Sequence, residues 1–335
     1  MKNKIVIGIS VLIIIVIAIV SLTQKPREKE EISVRLSWLI NANQAGFLTS
    51  VAKRFYTEEG LNVTNYPGGI DFPSIQLVAS GSDDFGVQSG SETMISARAN
   101  NIPVKAIAIL DKKSPYVYFS LREKNITSPK DFEGKIVAVS YGRPLEIVYR
   151  ILLRKEGVDT TKIAEVKKIP SNIPLFAGVY DVQPGYIADL IFAEEEAQKE
   201  GIELNVIRPA DFGIKSYGYT IFTTDEMIQK NPELVERYLR ATLKGWRYAL
   251  ENPDECVKYV LAENKLLEGT PQLKALRARK EFILPEDSDT PLGWMKREVW
   301  EEMMNKMLEQ GIIDKPVNLD DVYTNEFLKK IYGIE

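Results

Sequence analysis

Residues 32–63 are ISVRLSWLINANQAGFLTSVAKRFYTEEGLNV, with a strand pattern, a short run of three polar residues and one alanine (Asn41–Gln44), a helix pattern and the start of a second strand. Apolar residues occupy every second position from Ile32 to Trp38, which predicts a strand with one buried face. The apolar positions that follow at helical spacing are Leu48, Val51, Ala52 and Phe55. Gly60 predicts the end of that helix, because glycine readily adopts the left-handed conformation found after helix ends.

The same alternation continues through most of the 335 residues. Further strands are predicted for DFGVQ, VKAIAIL, VYFSL, KIVAVS, YDVQPGYI, LNVI and GYTIF. From Thr224 onward nearly every segment has helical spacing: we expect Asp225 to cap one helix, Pro232 and Pro253 to begin two more, and Gly311 to end the last long one. This order predicts an α/β protein with parallel sheets and a helical C-terminal part, and the length favours two domains.

The composition excludes several classes of function. Lys and Arg total 43 against 47 Asp and Glu, so the net charge of −4 does not favour nucleic acid, which binds a basic face. The chain has no histidine, which excludes His-based catalytic triads and His-bearing zinc sites. The single cysteine, Cys256, cannot form an intrachain disulfide, and its helical surroundings predict a small buried residue. We expect no metal, no cofactor and no catalytic residue.

The N-terminus predicts a segment that enters or crosses a membrane. Two lysines precede the 18 uncharged residues from Ile5 to Leu22, enough for about 27 Å of helix. A buried core helix is disfavoured because the segment has no polar face. The absence of a clear small-x-small cleavage pattern favours a membrane anchor over a cleaved signal peptide. We expect an anchor or signal helix at residues 1–24 and a charged tether at residues 25–31.

Small polar residues cluster where predicted strands end and helices begin. Asn41–Gln44 follow the first strand, Gln88–Gly90 begin at the last residue of DFGVQ, and Ser140–Arg143 begin at the last residue of KIVAVS. In open α/β sheets, ligands bind beyond the carboxyl ends of the strands, next to helix N-termini with free backbone N–H groups. Each run alone is also typical of an ordinary turn or helix cap. Together with neighbouring aromatic residues, the runs predict donors, acceptors and rings around a flat polar ligand.

Six segments resemble, in the same order, substrate-binding proteins of ABC importers, in the branch that binds thiamine pyrimidine precursors, riboflavin, nitrate and alkylsulfonates. They are WLINANQAGFLTSVAKRFYTEEGLNV, LVASGSDDFGVQSG, ARANNIPVKAIAIL, ITSPKDFEGKIVAVSYGRPLEI, DFGIKSYGYTIFTT and NPELVERYLRATLKGWRYALENP. The resemblance implies a two-lobed periplasmic-binding-protein fold of type II-like topology, with the ligand in the cleft between the lobes. Lobe I is expected at residues 32–120 plus 220–335, and lobe II at residues 121–219.

The resemblance also implies a function and partners. We expect an extracytoplasmic, monomeric solute-binding protein that captures a small polar heteroaromatic molecule by lobe closure and delivers it to an ABC permease with its ATPase. The expected ligand is a thiamine pyrimidine precursor or a related vitamin such as riboflavin. The protein would be anchored by the N-terminal helix or secreted after its cleavage. A sensing domain that reports to a kinase is an alternative. An enzyme that makes the thiamine pyrimidine is disfavoured, because the eukaryotic relative uses a histidine and a cysteine cluster, which this chain lacks.

The resemblance extends to the site. NANQAG resembles the Asn-rich motif of the pyrimidine-precursor branch, in which a histidine commonly stands at the position of Gln44. Trp38, Tyr141 and Tyr186 can stack on a heteroaromatic ring. Arg143 can pair with an anion, so an alkylsulfonate or nitrate is the alternative ligand. The expected ligand-binding residues are Trp38, Asn41, Asn43, Gln44, Gln88, Ser89, Tyr116, Ser140, Tyr141, Arg143, Glu146, Tyr186, Asp189 and Tyr217.

Two other groups are interpreted as structural. Trp246, Trp294 and Trp300 fall at helical spacing, which predicts packing in the core rather than ligand contact. Glu194–Glu196 lie in the run AEEEAQKE, which predicts an exposed helix face. Neither group is therefore expected to contribute to the ligand site.

Overall fold

The structure of the protein is a computed structural model that describes residues 29–69 and 71–334. The predicted anchor or signal helix and residues 25–28 of the tether lie outside the described residues. Glu30 and Glu31 were expected in the tether but belong to the first strand, because Glu30 pairs with Leu61 of the neighbouring strand. None of the helices in the described part is long and apolar enough to cross a bilayer.

The described residues form two five-stranded sheets. The strands are β1 (Glu30–Arg35), β2 (Leu61–Tyr66), β3 (Phe85–Ser89), β4 (Val104–Ile109), β5 (Tyr116–Leu121), β6 (Ile136–Val139), β7 (Ala164–Lys167), β8 (Val182–Tyr186), β9 (Leu204–Ile207) and β10 (Tyr219–Thr224). The first sheet has the order β2-β1-β3-β10-β4, and the second has the order β7-β6-β8-β5-β9. Strand β1 is parallel to β2 and β3, and β6 is parallel to β7 and β8.

Each sheet contains one antiparallel strand, and that strand follows a crossing between the sheets. Strand β5 is antiparallel to β8 and β9, and β10 is antiparallel to β3 and β4. The chain crosses between Ile109 and Tyr116 and returns between Ile207 and Tyr219. The first crossing therefore precedes Tyr116, earlier than the boundary expected after residue 120, because all of β5 pairs with strands of the second sheet.

Helices separate most of the strands and form the C-terminal part of the described chain. They are α1 (Ala45–Ala52), α2 (Phe55–Glu58), α3 (Ser74–Ala79), α4 (Ser91–Ala99), α5 (Pro144–Lys155), α6 (Ile173–Phe176), α7 (Ile187–Lys199), α8 (Asp225–Lys230), α9 (Pro232–Glu251), α10 (Pro253–Glu263), α11 (Gly269–Ile283), α12 (Arg297–Glu309), α13 (Leu319–Val322) and α14 (Glu326–Tyr332). The strands predicted from the sequence and the helical tail after Thr224 are confirmed.

Several helix ends follow from local sequence. The helices α5, α9 and α10 begin with Pro144, Pro232 and Pro253. A backbone N–H at the first helical position has no acceptor within the helix, so proline, which lacks this group, loses no hydrogen bond there. Gly60 and Gly311 adopt left-handed backbone conformations, with φ of 76° and 65°, shortly after α2 and α12 end. These predictions are confirmed.

The predicted helix cap at Asp225 is wrong. The Oγ1 atom of Thr224 accepts the hydrogen bond from the N–H of Met227 at 3.1 Å, so Thr224 is the cap. Asp225 is the first residue inside α8, and its carboxylate pairs with Arg98 at 2.5 Å. Threonine and aspartate both cap helices, so the sequence alone does not separate two adjacent candidates.

The helix predicted from the apolar positions between residues 48 and 55, with its end at Gly60, is broken in two. Arg54 has a left-handed conformation with φ of 63°, which ends α1 and starts α2. The predicted apolar face is therefore partly wrong, since Val51 is 45% exposed whereas Phe47 and Tyr56 are buried. Helical spacing of apolar residues is recognised over a window longer than one turn, so it does not reveal a single residue such as Arg54 whose backbone is left-handed.

Strand β7 was not predicted. Its sequence is AEVK, and its residues are exposed or only half-buried. The strand lies at the edge of the second sheet and pairs with β6 alone. A short edge strand needs few apolar residues, so alternation gives little warning of it.

The C-terminal helices pack on the first sheet and on α1. A Cβ atom on Gly245 of α9 would lie 2.6 Å from the carbonyl oxygen of Gly46 in α1, so the two glycines permit this close approach. Trp246 is fully buried with its ring edge-on to Phe47, and Trp300 is also fully buried. Cys256 is buried in an apolar cluster that includes parts of α1 and α11. The structural interpretation of these tryptophans and of the cysteine is confirmed.

Candidate functional site

A cavity of about 970 Å³ lies between the two sheets. Residues at or just beyond the carboxyl ends of β1, β3, β6, β7 and β8 form much of its wall. Strand β10 runs in the opposite direction, so its first residue, Tyr219, lies beside Ser89 at the end of β3 and also reaches the wall. The cavity therefore occupies the position at which α/β sheets bind ligands.

Most of the residues predicted from the sequence line this cavity. They are Trp38, Asn41, Asn43, Gln88, Ser89, Ser140, Tyr141, Arg143, Tyr186 and Asp189. The first five lie at or beyond the ends of strands of the first sheet, and the other five lie at or beyond the ends of strands of the second. The loops at the ends of strands from both sheets thus meet around one space.

Gln44 and Glu146 were predicted ligand contacts, but they do not line the cavity. Gln44 is fully buried, and its Oε1 accepts a hydrogen bond from the backbone N–H of Asn41 at 3.0 Å. Glu146 accepts a hydrogen bond from the N–H of Gly142 at 2.7 Å and pairs with Arg150 at 3.2 Å. Both side chains are used to hold the loops whose other residues form the wall.

Tyr116 and Tyr217, also predicted from the sequence, lie at the ends of the two crossings and outside the cavity wall. The hydroxyl of Tyr116 donates to Glu92 at 2.6 Å. The hydroxyl of Tyr217 accepts from the N–H of Lys296 at 2.7 Å, and its ring meets Trp300 edge-on at 5.7 Å between centroids. Both rings are buried by these internal contacts, which explains why neither reaches the cavity.

Glu92 connects the two crossings. It is fully buried and accepts hydrogen bonds from the hydroxyls of Tyr116 at 2.6 Å and Ser216 at 2.8 Å. Burial raises the pKa of Glu92 to about 7, although these hydrogen bonds act in the opposite direction. In the sequence, Glu92 looks like an ordinary acidic residue in the first turn of a helix, so nothing distinguishes it.

The polar run after β1 forms a short, well-bonded turn. Ala42–Gln44 make one turn of 3-10 helix before α1. The Oδ1 atom of Asn41 accepts from the N–H of Asn43 at 2.9 Å, and the N–H of Ala42 donates to Gln272 of α11 at 2.8 Å. The run Asn41–Gln44 thus forms a helix cap, which is one of the two roles predicted from the sequence, and it also contributes to the cavity wall.

Arg279 of α11 is the main residue near the site that the sequence analysis missed. It is 1% exposed, and its Nη1 donates to the Oδ1 of Asn43 at 3.2 Å. Its Nη2 lies 2.8 Å from the Oδ1 of Asp111, and its guanidinium lies 4.6 Å from the ring centre of Tyr219. Asn43 and Tyr219 line the cavity, so this buried ion pair supports the wall from behind.

Aromatic rings flank the cavity on both sides. The guanidinium of Arg143 lies 5.1 Å from the centre of the Trp38 ring, a contact that joins the two sides of the cleft. The Tyr186 ring is edge-on to Tyr116 at 5.4 Å and to Tyr219 at 6.5 Å. Burial raises the pKa of the Tyr186 hydroxyl well above its usual range, so it is neutral at physiological pH.

The second-sheet side adds wall residues that were not predicted. They include Lys167, Lys168, Asn172, Phe176, Gln183, Phe192, Glu196 and Lys199. Glu196 lies on an exposed helix face, as expected, and it also lines the cavity and accepts a hydrogen bond from Asn172 at 2.9 Å. Several of these residues belong to β7, α6 and the loop between them, where the sequence pattern was weakest.

The wall offers amides, rings and a few charges. Among residues 29–69 and 71–334, no three His, Cys, Asp or Glu side chains come close enough together to hold a metal ion. Arg143, three lysines and the carboxylates of Asp189, Glu196 and Glu200 bring charges of both signs to the second-sheet side of the wall. Such a surface can bind a flat polar molecule by stacking and by hydrogen bonds.

Comparisons with known proteins agree with this arrangement. The model of the family described as NMT1/THI5 like matches residues 41–256. Riboflavin-binding protein RibY of Chloroflexus aurantiacus is 26% identical, covering 89% of this chain and 86% of its own. The formylaminopyrimidine-binding protein of Halalkalibacterium halodurans is 25% identical, with 88% and 90% covered. A protein of Legionella pneumophila named 4-amino-5-hydroxymethyl-2-methylpyrimidine phosphate synthase is 27% identical, with 90% and 93% covered.

Solved structures show the same fold. The periplasmic aliphatic sulphonate binding protein SsuA of Escherichia coli has a TM-score of 0.68 at 14% identity, covering 87% of this chain and 91% of its own. A sulfonate-binding SsuA of Methylobacillus flagellatus has a TM-score of 0.67 at 18% identity, with 92% and 96% covered. The two-sheet α/β architecture is therefore that of periplasmic binding proteins, as expected.

Proposed function

This chain belongs to the NMT1/THI5-like family, and we propose that it is a solute-binding protein of an ABC importer that binds one small heteroaromatic molecule and releases it unchanged. The observation that carries the proposal is the large cavity between the sheets, in which aromatic rings and side-chain amides share one wall. The names of two relatives, which bind riboflavin and formylaminopyrimidine, support a flavin or an aminopyrimidine as the ligand class.

The ligand ring is held by stacking and by hydrogen bonds. Trp38, Tyr141 and Tyr186 line the cavity, and each favourable ring pair contributes about 0.5–1.5 kcal/mol beyond burial. A volume of about 970 Å³ is near the upper end of the range for small-molecule sites. This size supports a ligand with a substituent attached to its ring, such as the polyol chain of riboflavin, over a bare single ring.

Capture occurs by closure of two lobes about the two crossings. Lobe I contains residues 29–109 and 219–334, and lobe II contains residues 116–207, a division that follows the two sheets. The stacking of Arg143 on Trp38 bridges the lobes at the cavity wall. Helix α11 of lobe I also contacts α7 of lobe II, where Lys274 pairs with Glu195. Closure of this kind traps a solute and gives the loaded protein a distinct shape for its transporter to recognise.

The partners are a permease and its ATPase, and the protein works as a monomer outside the cytoplasm. The uncharged run from Ile5 to Leu22 supports export or anchoring at the extracytoplasmic face of the cell membrane. The same fold in periplasmic sulfonate-binding proteins is consistent with this location. The lobes would present their outer surfaces to the permease once the ligand has closed the cleft.

Two alternatives have a specific observation behind them. Arg143, Lys167 and Lys168 share the wall, which favours an anionic ligand such as an alkylsulfonate. The relative named as a phosphate synthase supports an enzyme. Against an enzyme, the full chain has no histidine, and its one cysteine, Cys256, is buried within an apolar cluster.

A ligand screen with the full-length protein separates these functions. Riboflavin, hydroxymethyl- and formylaminopyrimidine, taurine, longer alkylsulfonates and nitrate are tested by thermal unfolding. A ligand present at 100 times its dissociation constant should stabilise the fold by about 2.7 kcal/mol. Stabilisation by flavins or pyrimidines, with the compound recovered unchanged by chromatography, supports the proposal. Stabilisation by small anions alone would favour the alternative of an anionic ligand paired with Arg143. Recovery of a chemically altered pyrimidine would favour the enzyme.

A further inference from the structure

The three amide side chains on the first-lobe wall have their carbonyl oxygens occupied. The Oδ1 of Asn41 accepts from the backbone N–H of Asn43 at 2.9 Å, and the Oε1 of Gln88 accepts from the backbone N–H of Ser89 at 3.0 Å. The Oδ1 of Asn43 accepts from the guanidinium of Arg279 at 3.2 Å. Each of these amides lines the cavity.

The identity of their partners fixes the orientation of all three amides. A backbone N–H and a guanidinium can only donate, so the amide atom that each contacts must be oxygen. The NH2 group of each amide therefore takes no part in these hydrogen bonds. Among the described residues, none of these NH2 groups donates to another protein atom, and none is sealed from solvent. Asn41, Asn43 and Gln88 together form an array of hydrogen-bond donors, which we name the donor wall.

The carboxylates that line the cavity lie on the opposite lobe. Asp189 lines the cavity, and its Oδ2 accepts from the backbone N–H of Tyr186 at 2.9 Å, which leaves Oδ1 to accept from a ligand. The oxygen of Gln183 is occupied, because it accepts from the hydroxyl of Tyr180 at 2.8 Å. Glu196 and Glu200 also line the cavity on this side, so its carboxylate acceptors belong to the second lobe, whereas the three amides of the first lobe present donors.

We infer that the ligand presents a carbonyl-rich edge to the donor wall of Asn41, Asn43 and Gln88, as a cyclic imide or lactam ring does, rather than an amino-substituted edge. This inference rests on the proposed function and narrows its ligand class. An amino group on the ligand would face the NH2 groups of the wall, and buried donors would then lack acceptors. Ring carbonyls satisfy them, and a ring N–H or hydroxyl of the ligand remains for Asp189.

Two ring compounds that differ only in this edge provide the test. Lumazine carries carbonyl groups at positions 2 and 4 of a pteridine, and 2,4-diaminopteridine carries amino groups at the same positions. Isothermal titration of the full-length protein with each compound measures the ratio of the two dissociation constants. The donor wall predicts that lumazine binds at least tenfold more tightly. Equal binding, or tighter binding of 2,4-diaminopteridine, would overturn the inference.

A conservative variant tests the wall itself. Asn43→Asp keeps an oxygen for Arg279, so the internal contact survives, but it replaces the NH2 group that faces the cavity by an acceptor. The preference for lumazine should fall at least tenfold. Asn125→Asp adds the same charge at an exposed position outside the wall and should leave the preference unchanged. If Asn43→Asp melts like the wild type and keeps its preference, the assignment of the wall is wrong.

The same titrations separate this inference from the proposed function. If riboflavin and lumazine both bind and 2,4-diaminopteridine does not, both stand. If all three bind equally, the protein binds heteroaromatic rings and only the donor wall fails. If none of the three binds but a pyrimidine of the ligand screen does, the proposed function stands and the donor wall fails. If no flavin, pteridine or pyrimidine binds, ring binding itself fails, and the inference falls with it.

Discussion

Glu92 should make the protein less stable as the pH rises from 4 to 8. Its carboxyl is fully buried between Tyr116 and Ser216, and burial raises its pKa to about 7 from an ordinary value of 4.5. Between pH 4.5 and pH 7 the Glu92 carboxyl of the folded protein holds a proton that the unfolded chain has released. The stability that this proton provides is therefore complete below pH 4.5 and is lost as the pH rises through 7.

The size of the effect follows from the two pKa values. Each pKa unit corresponds to about 1.4 kcal/mol, so the separation between 4.5 and 7 amounts to a loss of about 3 kcal/mol by pH 8. Glu92→Gln carries no proton to lose, and its amide can still bond both hydroxyls. Relative to the wild type, the free energy of unfolding of this variant should therefore rise by about 3 kcal/mol between pH 4 and pH 8.

Urea unfolding at pH 4, 5, 6, 7 and 8, followed by circular dichroism, measures this difference. Glu309→Gln is the matched control, because Glu309 is exposed near the end of α12 and should give a curve parallel to the wild type. Parallel curves for Glu92→Gln as well would refute the reasoning, since they would mean that Glu92 titrates alike in the folded and unfolded protein.

Three further substitutions test the site and its support. Trp38→Ala removes a stacking ring and its contact with Arg143, and it should weaken binding of the ligand found in the screen at least tenfold in a titration. Arg279→Met leaves the buried carboxylate of Asp111 without its cation and should reduce the free energy of unfolding by about 3–5 kcal/mol in urea. Gly245→Ala forces α9 away from α1 and should cost about 1–3 kcal/mol, measured by thermal unfolding.

Each of these substitutions has a counterpart that isolates its cause. Tyr66→Ala removes an exposed ring outside the cavity wall and should leave affinity unchanged; a similar loss in both aromatic variants would point to a general effect. Asp111→Asn combined with Arg279→Met should recover part of the lost stability, because no charge is then buried alone. Gly269→Ala meets no atom closer than 3.4 Å, so equal destabilisation by both glycine substitutions would contradict the close-packing argument.

The features that the sequence predicts correctly are those encoded over short distances. Alternation of apolar residues identified nearly all the strands, and the polar runs at Asn41, Gln88 and Ser140 marked the sheet edge at which the cavity lies. Because the carboxyl ends of parallel strands lie at one edge of a sheet, residues far apart in the chain could be grouped without knowing their contacts. The resemblance to binding proteins supplied the second lobe, which periodicity alone did not.

The features that it misses depend on contacts between distant residues. Arg279 lies in a helix whose pattern shows only that one face is apolar, and its contact with Asn43 spans 236 positions. Tyr116 and Tyr217 are residue types that often occur in ligand sites, but in the folded protein both contact buried partners at the crossings. Burial and partner choice are set by the assembled structure, so no local pattern reports them.

The donor wall also explains why amides, rather than acids or hydroxyls, follow the strands of the first lobe. A helix entrance leaves backbone N–H groups that need an acceptor, and the oxygen of Asn41 provides one for Asn43. An aspartate would cap equally well but would turn a second acceptor toward the ligand, and a serine has one oxygen for both tasks. An amide performs both tasks with different atoms: its oxygen accepts the backbone hydrogen bond, and its NH2 group stays available to the ligand. The side chain that stabilises the turn therefore also sets the polarity of the ligand edge that the cavity can accept, and for Asn43, which Arg279 orients, the exchange for aspartate separates the two tasks experimentally.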